Sequence, residues 1–355
     1  MSRIITINSF KSTCPGGVES LIRSFHSIGT HRGWDFLELH KWGSSKEIHN
    51  VSQHAKFIEY GSGQGKVGKI LTRVNLYKEL LKLNPKNNII FIFHMSDLLS
   101  VPISVLKNNK IIVVQTNRFD IFLTSLGKIA VLLYSSFIDF FTVYTEKDKV
   151  KLKSIYPKLE NKIEIIPRGC RVEKAIESPA FSNKLVTITR LDEKQKNISE
   201  MIEIVNSLPE TYTLDIYGEG EEEEISLIKS LVDNVPRVKF CGAATKIEDV
   251  LKKYSIFLMT SNYEGFGQTL IEARSQGLPI VLYNTFDAAS YIVKNGGNGF
   301  LIPKGDKKLF MEKVLEITYS KEAYGVFSEN SLGLASETDE ALVNNKWGLL
   351  LDASL

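Results

Sequence analysis

The sequence predicts an α/β protein made of two doubly wound, Rossmann-like domains. Three observations lead to this prediction. The 355 residues leave room for two cores, at about 100–200 residues per domain. Short β-branched segments alternate with longer segments of helical period, which is typical of parallel sheets covered by helices. The weakly periodic stretch 168–183 divides this alternation into two sets.

The predicted domains cover 1–170 and 171–335, and a C-terminal helix in 336–355 is expected to pack back on the first domain. In the first domain, β-branched and aromatic runs predict strands at 4–8, 36–39, 57–60, 88–93, 111–115, 140–144 and 163–166. Helical periodicity predicts helices at 18–27, 67–83, 97–106, 123–134 and from residue 146. The uncharged window 129–138 is shorter than the ~20 residues of a membrane-spanning helix, so we expect a buried helix there that runs into a strand.

The same patterns continue in the second domain. They predict strands at 184–189, 213–217, 237–240, 256–259 and 278–282. They predict helices at 198–207, 222–232, 247–252, 267–275 and 306–319. The end of the chain, 337–351, has helical character after Gly325 and Gly333, which we expect to interrupt the helix before it.

The composition excludes several classes of protein. A charged fraction of 24% and a hydrophobic fraction of 43% are ordinary for globular proteins and exclude a disordered chain. The three cysteines, Cys14, Cys170 and Cys241, are too few and too far apart for a disulfide framework or a zinc site. Because the N-terminal segment also lacks the apolar stretch of a signal peptide, we expect a cytoplasmic protein.

The net charge of +3 hides a division between the two parts of the chain. Residues 1–165 contain 23 basic and 13 acidic side chains, a net charge of +10. The remainder contains 21 basic and 28 acidic side chains, a net charge of −7. We therefore expect the two domains to bind different partners.

Two glycine-rich segments are candidate phosphate loops. In GSGQGKVGK, Gly63, Gly65 and Gly68 match GxGxxG, and Lys69 completes GxxxxGK. The next residue is Ile70, which lacks the hydroxyl that a magnesium-binding loop needs, so we favour a flexible basic loop that meets an acceptor. The second segment, 15–17, links the first strand to the first helix; it is either an anion site at the helix N-terminus, with Gly16 and Gly17, or an ordinary turn.

The segment 259–279 has the most chemical content. Gly265 and Gly267 allow backbone to approach a ligand closely, and the amides of Gln268, Thr269 and Leu270 are expected to be free to bind a diphosphate at a helix N-terminus. Glu264 and Glu272 flank this point, and carboxylates accept hydrogen bonds from sugar and ribose hydroxyls. Two glutamates at this spacing usually belong to a solvated helix face, but the glycines and the preceding strand favour a binding site.

These motifs resemble the retaining family 4 glycosyltransferases, also called glycosyl transferases group 1, which have the GT-B fold. The resemblance rests on EGFG with its second glutamate and on ordered matches along the chain, which are Gly16–Gly17, IIPRGC at 165–170, TRLDEKQKN at 189–197, IYGEGE at 216–221 and NGFLIPKGD at 298–306. It implies two Rossmann-like domains facing a central cleft, with the acceptor on the first domain and a nucleotide-sugar donor on the second.

The resemblance also implies roles for individual residues. Arg190 and Lys196 would bind the donor diphosphate without a metal or other cofactor, with Lys194 as the alternative lysine. Glu264 would bind the sugar hydroxyls beside backbone contacts from Phe266 and Gly267, and Glu272 would bind the ribose. No residue is expected to act as an enzymic nucleophile.

This sequence departs from the family pattern at the histidine that contacts the donor sugar. Many members have a histidine after the fourth or fifth strand of the first domain that hydrogen-bonds the donor sugar. Here Asn117 stands near that position, and His94, which ends the preceding strand, is the other candidate. An asparagine can also donate to a sugar hydroxyl, so activity remains the expectation.

The resemblance therefore implies transfer of a hexose or N-acetylhexosamine, most simply from a UDP-sugar, to a glycan or lipid-linked acceptor in bacterial-type surface polysaccharide synthesis. Lys66, Lys69 and Arg73 are candidates for contact with an anionic membrane surface at the inner face of the membrane, and no nucleic-acid partner is expected. Two alternatives stay open: a GT-B sugar phosphorylase or nucleotide-sugar epimerase, and a non-catalytic GT-B partner subunit.

Overall fold

The structure is a computed structural model that describes residues 3–14, 16–30, 32–43, 55–63 and 65–354, without the side chains of residues 120 and 121. It divides the chain into two units, Met1–Pro167 with Val343–Leu355, and Arg168–Leu342. The first boundary lies close to the one expected after residue 170. The second lies inside the last helix, whereas the sequence placed it after residue 335.

The first unit contains one parallel sheet in the order β3-β2-β1-β4-β5-β6-β7. Its strands are β1 Arg3–Phe10, β2 Asp35–Trp42, β3 Ala55–Glu59, β4 Ile89–Ile92, β5 Lys110–Val114, β6 Phe140–Val143 and β7 Ile163–Ile165. Its helices are α1 Gly17–Thr30, α2 Gly65–Leu83, α3 Ile103–Lys107, α4 Phe119–Phe122, α5 Ser125–Tyr134 and α6 Glu146–Ile155. A 3₁₀ segment, Met95–Ser100, follows β4.

Alternate residues of the first strand enter the cores on opposite faces of this sheet. Ile5 and Ile7 belong to one buried cluster, whereas Ile4 belongs to another. This division follows from the two-residue period of a β-strand. Both faces are covered, as expected for a parallel sheet with crossover helices.

The second unit also contains one parallel sheet, in the order β10-β9-β8-β11-β12-β13. Its strands are β8 Lys184–Ile188, β9 Thr213–Tyr217, β10 Val238–Gly242, β11 Ile256–Met259, β12 Ile280–Tyr283 and β13 Gly299–Ile302. Its helices are α7 Glu193–Lys196, α8 Ile198–Asn206, α9 Glu222–Val232, α10 Ile247–Leu251, α11 Gln268–Ser275, α12 Ala289–Ile292, α13 Lys307–Ile317 and α14 Lys321–Ala335. The two doubly wound sheets predicted from the sequence are confirmed.

The last helix, α15 Glu340–Asp352, joins the first unit from Val343 onward. Trp347 is buried there, with its ring centroid 4.8 Å from that of Phe25 and 6.1 Å from that of Phe91. Arg32 and Asp352 form an ion pair at 3.0 Å at the edge of this contact. The C-terminal helix thus completes a core that begins with α1 and β4.

Three expectations about local structure were wrong. Gly325 and Gly333 do not interrupt the chain: both lie inside α14, which buries Tyr324, Ser328 and Ser331 on one face. The glycine-rich segment is not a loop throughout, because α2 begins at Gly65. Residue 64 of that segment and Pro15 of the other glycine-rich turn lie outside the described residues.

The third correction concerns α5, which we expected to be buried. Its apolar side chains are largely exposed, including Leu132 at 70% and Leu133 at 61%, while Ala130 and Val131 face the core. Periodicity shows that a helix is apolar but does not show whether each face has a partner. No helix in the described part of the chain has the length and hydropathy needed to cross a membrane.

Each sheet reverses its strand order at one place, between β1 and β4 in the first unit and between β8 and β11 in the second. Ligands of doubly wound sheets bind outside the carboxyl ends of the strands at such a switch point. The loops that follow these four strands contain Gly16, His94, Arg190, Lys196 and Glu264. The switch points of the two sheets therefore lie next to residues that the motifs also predict for the site.

Candidate active site

A buried ion pair lies at the switch point of the second unit. Lys196 ends α7 after β8, and Glu264 lies in the loop after β11. The Nζ atom of Lys196 is 2.5 Å from Oε1 of Glu264, and the two side chains are only 12% and 10% exposed. The hydroxyl of Ser261 also donates to Oε1, at 2.8 Å. The structure thus brings together two of the residues predicted from separate motifs.

Hydrogen bonds fix these two loops to each other. Thr260 Oγ1 donates to the carbonyl of Asn197 at 2.8 Å, and the amide of Asn262 donates to the carbonyl of Gln195 at 2.7 Å. Asn197 adopts a left-handed conformation with φ of 52°, which asparagine tolerates better than most residues. The Lys196 ammonium is therefore positioned by backbone as well as by its carboxylate partner.

Arg190 and Lys194 are placed differently from Lys196. Arg190 is 66% exposed and donates from Nη2 to Oε1 of Gln195 at 2.7 Å and to Asp192 at 3.2 Å. Gln195 in turn donates to the carbonyl of Tyr263 at 3.2 Å, beside Glu264. Lys194 is exposed, and its carbonyl accepts from Asn262. Of the two candidate lysines, the structure places Lys196 against Glu264.

The EGFG segment leads into α11 through Gly267, which has φ of 92°. A Cβ atom there would lie 2.8 Å from Cδ1 of Leu270, so both the conformation and the space favour glycine. Phe266 is buried near Tyr291, with ring centroids 6.1 Å apart. Gly265 lies in the same turn.

Two of the three backbone amides predicted to be free at the start of α11 have no backbone acceptor among the described residues, and the third has one. Leu270 donates its amide proton to the carbonyl of Gly267 at 3.0 Å, so the expectation that it is free was wrong. This hydrogen bond closes the first turn of the helix, because the carbonyl of Gly267 points toward the helix. Gln268 and Thr269 have no backbone acceptor among the described residues and leave two donors at the helix N-terminus.

Glu272 is fully buried and only one of its oxygens is satisfied. Arg171 approaches Oε1 at 2.7 Å from Nε and 2.6 Å from Nη2, and Gln268 Nε2 lies 3.4 Å away. Oε2 is buried without a hydrogen-bond partner in the described part of the chain. Burial raises the pKa of Glu272, and the charge of Arg171 opposes this rise. An unsatisfied buried carboxylate oxygen is costly unless a ligand donates to it.

Arg171 is the residue that sequence reasoning missed. It lies just after the IIPRGC motif, 101 residues from Glu272, and nothing in its local sequence indicates that contact. Ser261 was likewise missed, although it lies three residues before Glu264 in the motif that was singled out.

Replacing Arg171 is expected to make stability depend more strongly on pH. In Arg171→Ala the pKa of Glu272 in the folded chain rises further above the pKa of the same carboxyl in the unfolded chain. The folded chain therefore binds the Glu272 proton more tightly than the unfolded chain does. The free energy of unfolding then falls as pH rises through the interval above the ordinary carboxyl pKa. We expect the variant to lose about 1–3 kcal/mol relative to the parent at about pH 8 and less at about pH 5. Urea unfolding measures this, and an equal loss at both pH values would contradict it; Lys194→Ala is the control.

The switch point of the first unit is braced around the first glycine pair. Glu38 accepts hydrogen bonds from the amide and hydroxyl of Ser12, at 2.9 and 2.5 Å. Arg23 donates to the carbonyl of Cys14 at 3.0 Å. A Cβ atom on Gly16 would lie 1.9 Å from a carboxylate oxygen of Glu19, so a larger residue there would displace that side chain. Gly17 begins α1.

His94 and Asn117 occupy different places near this edge. His94 lies two residues after the end of β4, the strand that pairs with β1, and its Nε2 atom lies 2.9 Å from Oγ of Ser9. Burial lowers the pKa of His94, which favours the neutral imidazole. Asn117 lies after β5, where its Oδ1 accepts from the amide of Arg118 at 2.8 Å. His94 is therefore the candidate that lies at the switch point.

Residues 172–332 match the family model described as glycosyl transferases group 1. This stretch covers nearly all of the second unit and includes the Lys196–Glu264 pair and Glu272. The second unit therefore matches the glycosyl transferases group 1 family model. This match confirms the resemblance to group 1 glycosyl transferases that the motifs indicated.

Curated relatives match over part of their length. A GtfA subunit of UDP-N-acetylglucosamine–peptide N-acetylglucosaminyltransferase from Streptococcus pneumoniae is 30% identical over 55% of this chain and 40% of its own length. A poly(glycerol-phosphate) alpha-glucosyltransferase of Bacillus subtilis is 26% identical over 49% of this chain and 26% of its own. Across eight curated relatives, including these two, the chain spans less than half of each relative's length, between 25% and 48%.

Solved structures resemble the whole chain. The pneumococcal O-GlcNAc transferase GtfA, in complex with UDP and GlcNAc, superposes with a TM-score of 0.75 at 15% identity over 99% of both chains. Anabaena HepE, in complex with UDP, gives a TM-score of 0.79 at 16% identity over 99% of this chain and 100% of its own. These likenesses confirm the GT-B fold of two Rossmann-like units.

Proposed function

We propose that the protein transfers a hexose or N-acetylhexosamine from a UDP-sugar to a glycan or lipid-linked acceptor, with retention of anomeric configuration. The observation that carries this proposal is the cluster at the switch point of the second unit. It combines the Lys196–Glu264 pair, two amides at the start of α11 and the unsatisfied oxygen of Glu272. The relatives support a UDP-linked donor, because the GtfA and HepE structures contain UDP.

In this proposal each group meets one part of the donor. The diphosphate lies against the amides of Gln268 and Thr269, and Lys196 turns from Glu264 to a phosphate oxygen. Glu264, relieved of its ammonium partner, accepts from the hydroxyls of the sugar. The ribose hydroxyls donate to Oε2 of Glu272, which supplies the hydrogen bonds that this buried oxygen lacks.

The chemical step follows from the same positions. Negative charge builds on the diphosphate as the bond from the anomeric carbon to its oxygen breaks, and Lys196 and Arg190 stabilise that charge without a metal. Glu264 accepts hydrogen bonds from Ser261 and, in this proposal, from the sugar hydroxyls, so we assign it no nucleophilic role. We therefore assign attack to the acceptor hydroxyl on the face that the leaving group vacates, with a phosphate oxygen taking its proton.

Transfer assays with a panel of nucleotide sugars test this function. We expect turnover with at least one UDP-sugar and an axial product linkage from an axial donor, read from the anomeric proton in the NMR spectrum. Sugar release that requires inorganic phosphate would favour a phosphorylase, and an altered sugar still attached to UDP would favour an epimerase. Donor binding without any turnover, together with activation of a second protein, would favour a non-catalytic partner subunit.

We further propose a peripheral association of the first unit with the anionic inner face of a membrane. Exposed apolar side chains on α2, such as Val67 at 71% and Ile70 at 62%, alternate with the exposed cations Lys66 and Lys69. Basic residues next to exposed apolar residues bind anionic bilayers through both charge and burial. Flotation with anionic vesicles should carry the protein upward and neutral vesicles should not; equal behaviour with both would contradict the proposal.

A further inference from the structure

A cavity of about 510 Å³ lies in the first unit, apart from the Lys196–Glu264 cluster. It opens at the carboxyl ends of β2 and β3, where Trp42 ends one strand and Tyr60 follows the other. Lys69 and Arg73 of α2 form one wall, and the start of α5 forms another. Cavities of this size hold small ligands, and this edge of a doubly wound sheet is where ligands bind.

The lining carries unbalanced positive charge. Asp97 is the one acidic residue among the described residues that line the cavity, and both of its oxygens accept from Lys41, at 3.1 and 3.0 Å. Lys69 is exposed and Arg73 is half-buried, and neither forms an ion pair within the described residues. Because they lie four positions apart, their side chains share one face of α2. The wall therefore presents two unneutralised cations.

The glycine-rich segment, for which the sequence favoured a basic loop that meets an acceptor, forms part of this wall. A Cβ atom on Gly68 would lie 2.5 Å from the carbonyl oxygen of Gly63, and one on Gly61 would lie 1.9 Å from that of Lys41. The amide of Ser62 donates to Oγ1 of Thr72 at 3.0 Å. The glycines thus let the start of α2 pack directly on the ends of the strands, which fixes Lys69 and Arg73 at the cavity.

The lining of the cavity also offers an aromatic surface and a connection to His94. Trp42 is partly exposed, and an indole face packs well against the C–H face of a sugar ring. The amide of Asp97 donates to the carbonyl of His94 at 2.8 Å. The cavity is therefore one short segment away from His94, which follows β4 at the switch point.

We propose that this cavity binds the phosphate-bearing part of the acceptor, a diphosphate or phosphodiester, through Lys69 and Arg73. The inference rests on the proposed transferase function and adds the chemical class of its acceptor. Arg73 supplies planar, paired donors that match phosphate oxygens, and Lys69 supplies a mobile point charge. The same phosphate chemistry is found in lipid-linked acceptors and in soluble phosphate-containing glycans, and the experiment separates them.

Trp42 provides a local reporter for the test. The chain has three tryptophans, so a parent with Trp34→Phe and Trp347→Phe retains only Trp42. Inorganic pyrophosphate is titrated into this full-length protein with UDP present in excess to occupy the donor site. We expect a saturable change in fluorescence. Adding Lys69→Ala and Arg73→Ala should raise the Kd for pyrophosphate by about tenfold to a hundredfold.

The matched control removes two charges elsewhere on the same helix. Lys78→Ala with Lys82→Ala should leave the Kd for pyrophosphate within about twofold, because neither residue lines the cavity. Farnesyl diphosphate binding at least tenfold more tightly than pyrophosphate would identify a lipid-linked source, and equal affinity would identify a soluble one. No saturable change, or the same loss in both double variants, would overturn the proposal.

Binding at the donor site and binding at the cavity are measured separately. Thermal shift with UDP measures the donor site in the same proteins, and the Lys69→Ala, Arg73→Ala variant should keep the shift of its parent. UDP stabilisation without pyrophosphate binding would reject the cavity and keep the donor site. Pyrophosphate binding at Trp42 without any UDP stabilisation would keep the cavity and reject the donor site.

Discussion

Glu264→Gln is expected to reduce sugar transfer by about two to three orders of magnitude while leaving the fold intact. The carboxylate binds Lys196 and Ser261 in the resting structure, and in our account it binds the sugar hydroxyls during transfer. Loss of one preorganised electrostatic contact in an active site typically costs about 10²–10³ in rate. Steady-state kinetics with the active UDP-sugar, alongside circular dichroism of the variant, provide the measurement.

Two further variants show whether the loss is specific. Glu312→Gln removes an exposed carboxylate from α13 in the same unit and should leave kcat within about twofold. Lys196→Ala combined with Glu264→Gln should cost less than the sum of the two separate losses, because the residues act on each other. Unchanged kcat in Glu264→Gln, or strictly additive losses, would contradict the assigned role of the pair.

Trp347→Ala is expected to lower the free energy of unfolding by about 3–5 kcal/mol. Its indole is 2% exposed and packs on Phe25 and Phe91, so truncation leaves a cavity in the core that joins α15 to the first unit. Urea unfolding followed by far-ultraviolet circular dichroism measures the change. Leu349→Ala, on the same helix but 61% exposed, should change stability by less than about 0.5 kcal/mol. Similar losses in both variants would contradict the prediction, because burial of the Trp347 indole would then add no stability beyond that of the helix itself.

Much of the fold follows from local patterns in the sequence. Short apolar runs such as the one in β4 and the one in β11 indicate covered strands in an alternating chain, and both are fully buried. The site at the second switch point was also predictable. Lys196 and Glu264 each follow a strand of that sheet, and the adjacency of β8 and β11 brings the ends of those strands together.

The remaining features depend on contacts between distant residues. Arg171 reaches Glu272 from a segment without regular structure, and no periodicity marks such a contact. The exposure of Leu132 and Leu133 depends on which helix faces lack neighbours, which apolar spacing does not show. Strand β13, Gly299–Ile302, was not predicted, because it begins with a glycine and follows two more glycines, a composition typical of a turn.

We expect a nucleoside diphosphate to bind the second unit at the switch point of its sheet. Calorimetric titration of the full-length protein with UDP, and with other nucleoside diphosphates for comparison, tests it most directly. We predict saturable binding of UDP that stabilises the fold by about 2.7 kcal/mol at a hundred times its Kd and that weakens at least tenfold in both Lys196→Ala and Glu272→Ala. Absence of binding by every nucleoside diphosphate, or binding that both variants retain at full strength, would contradict the account.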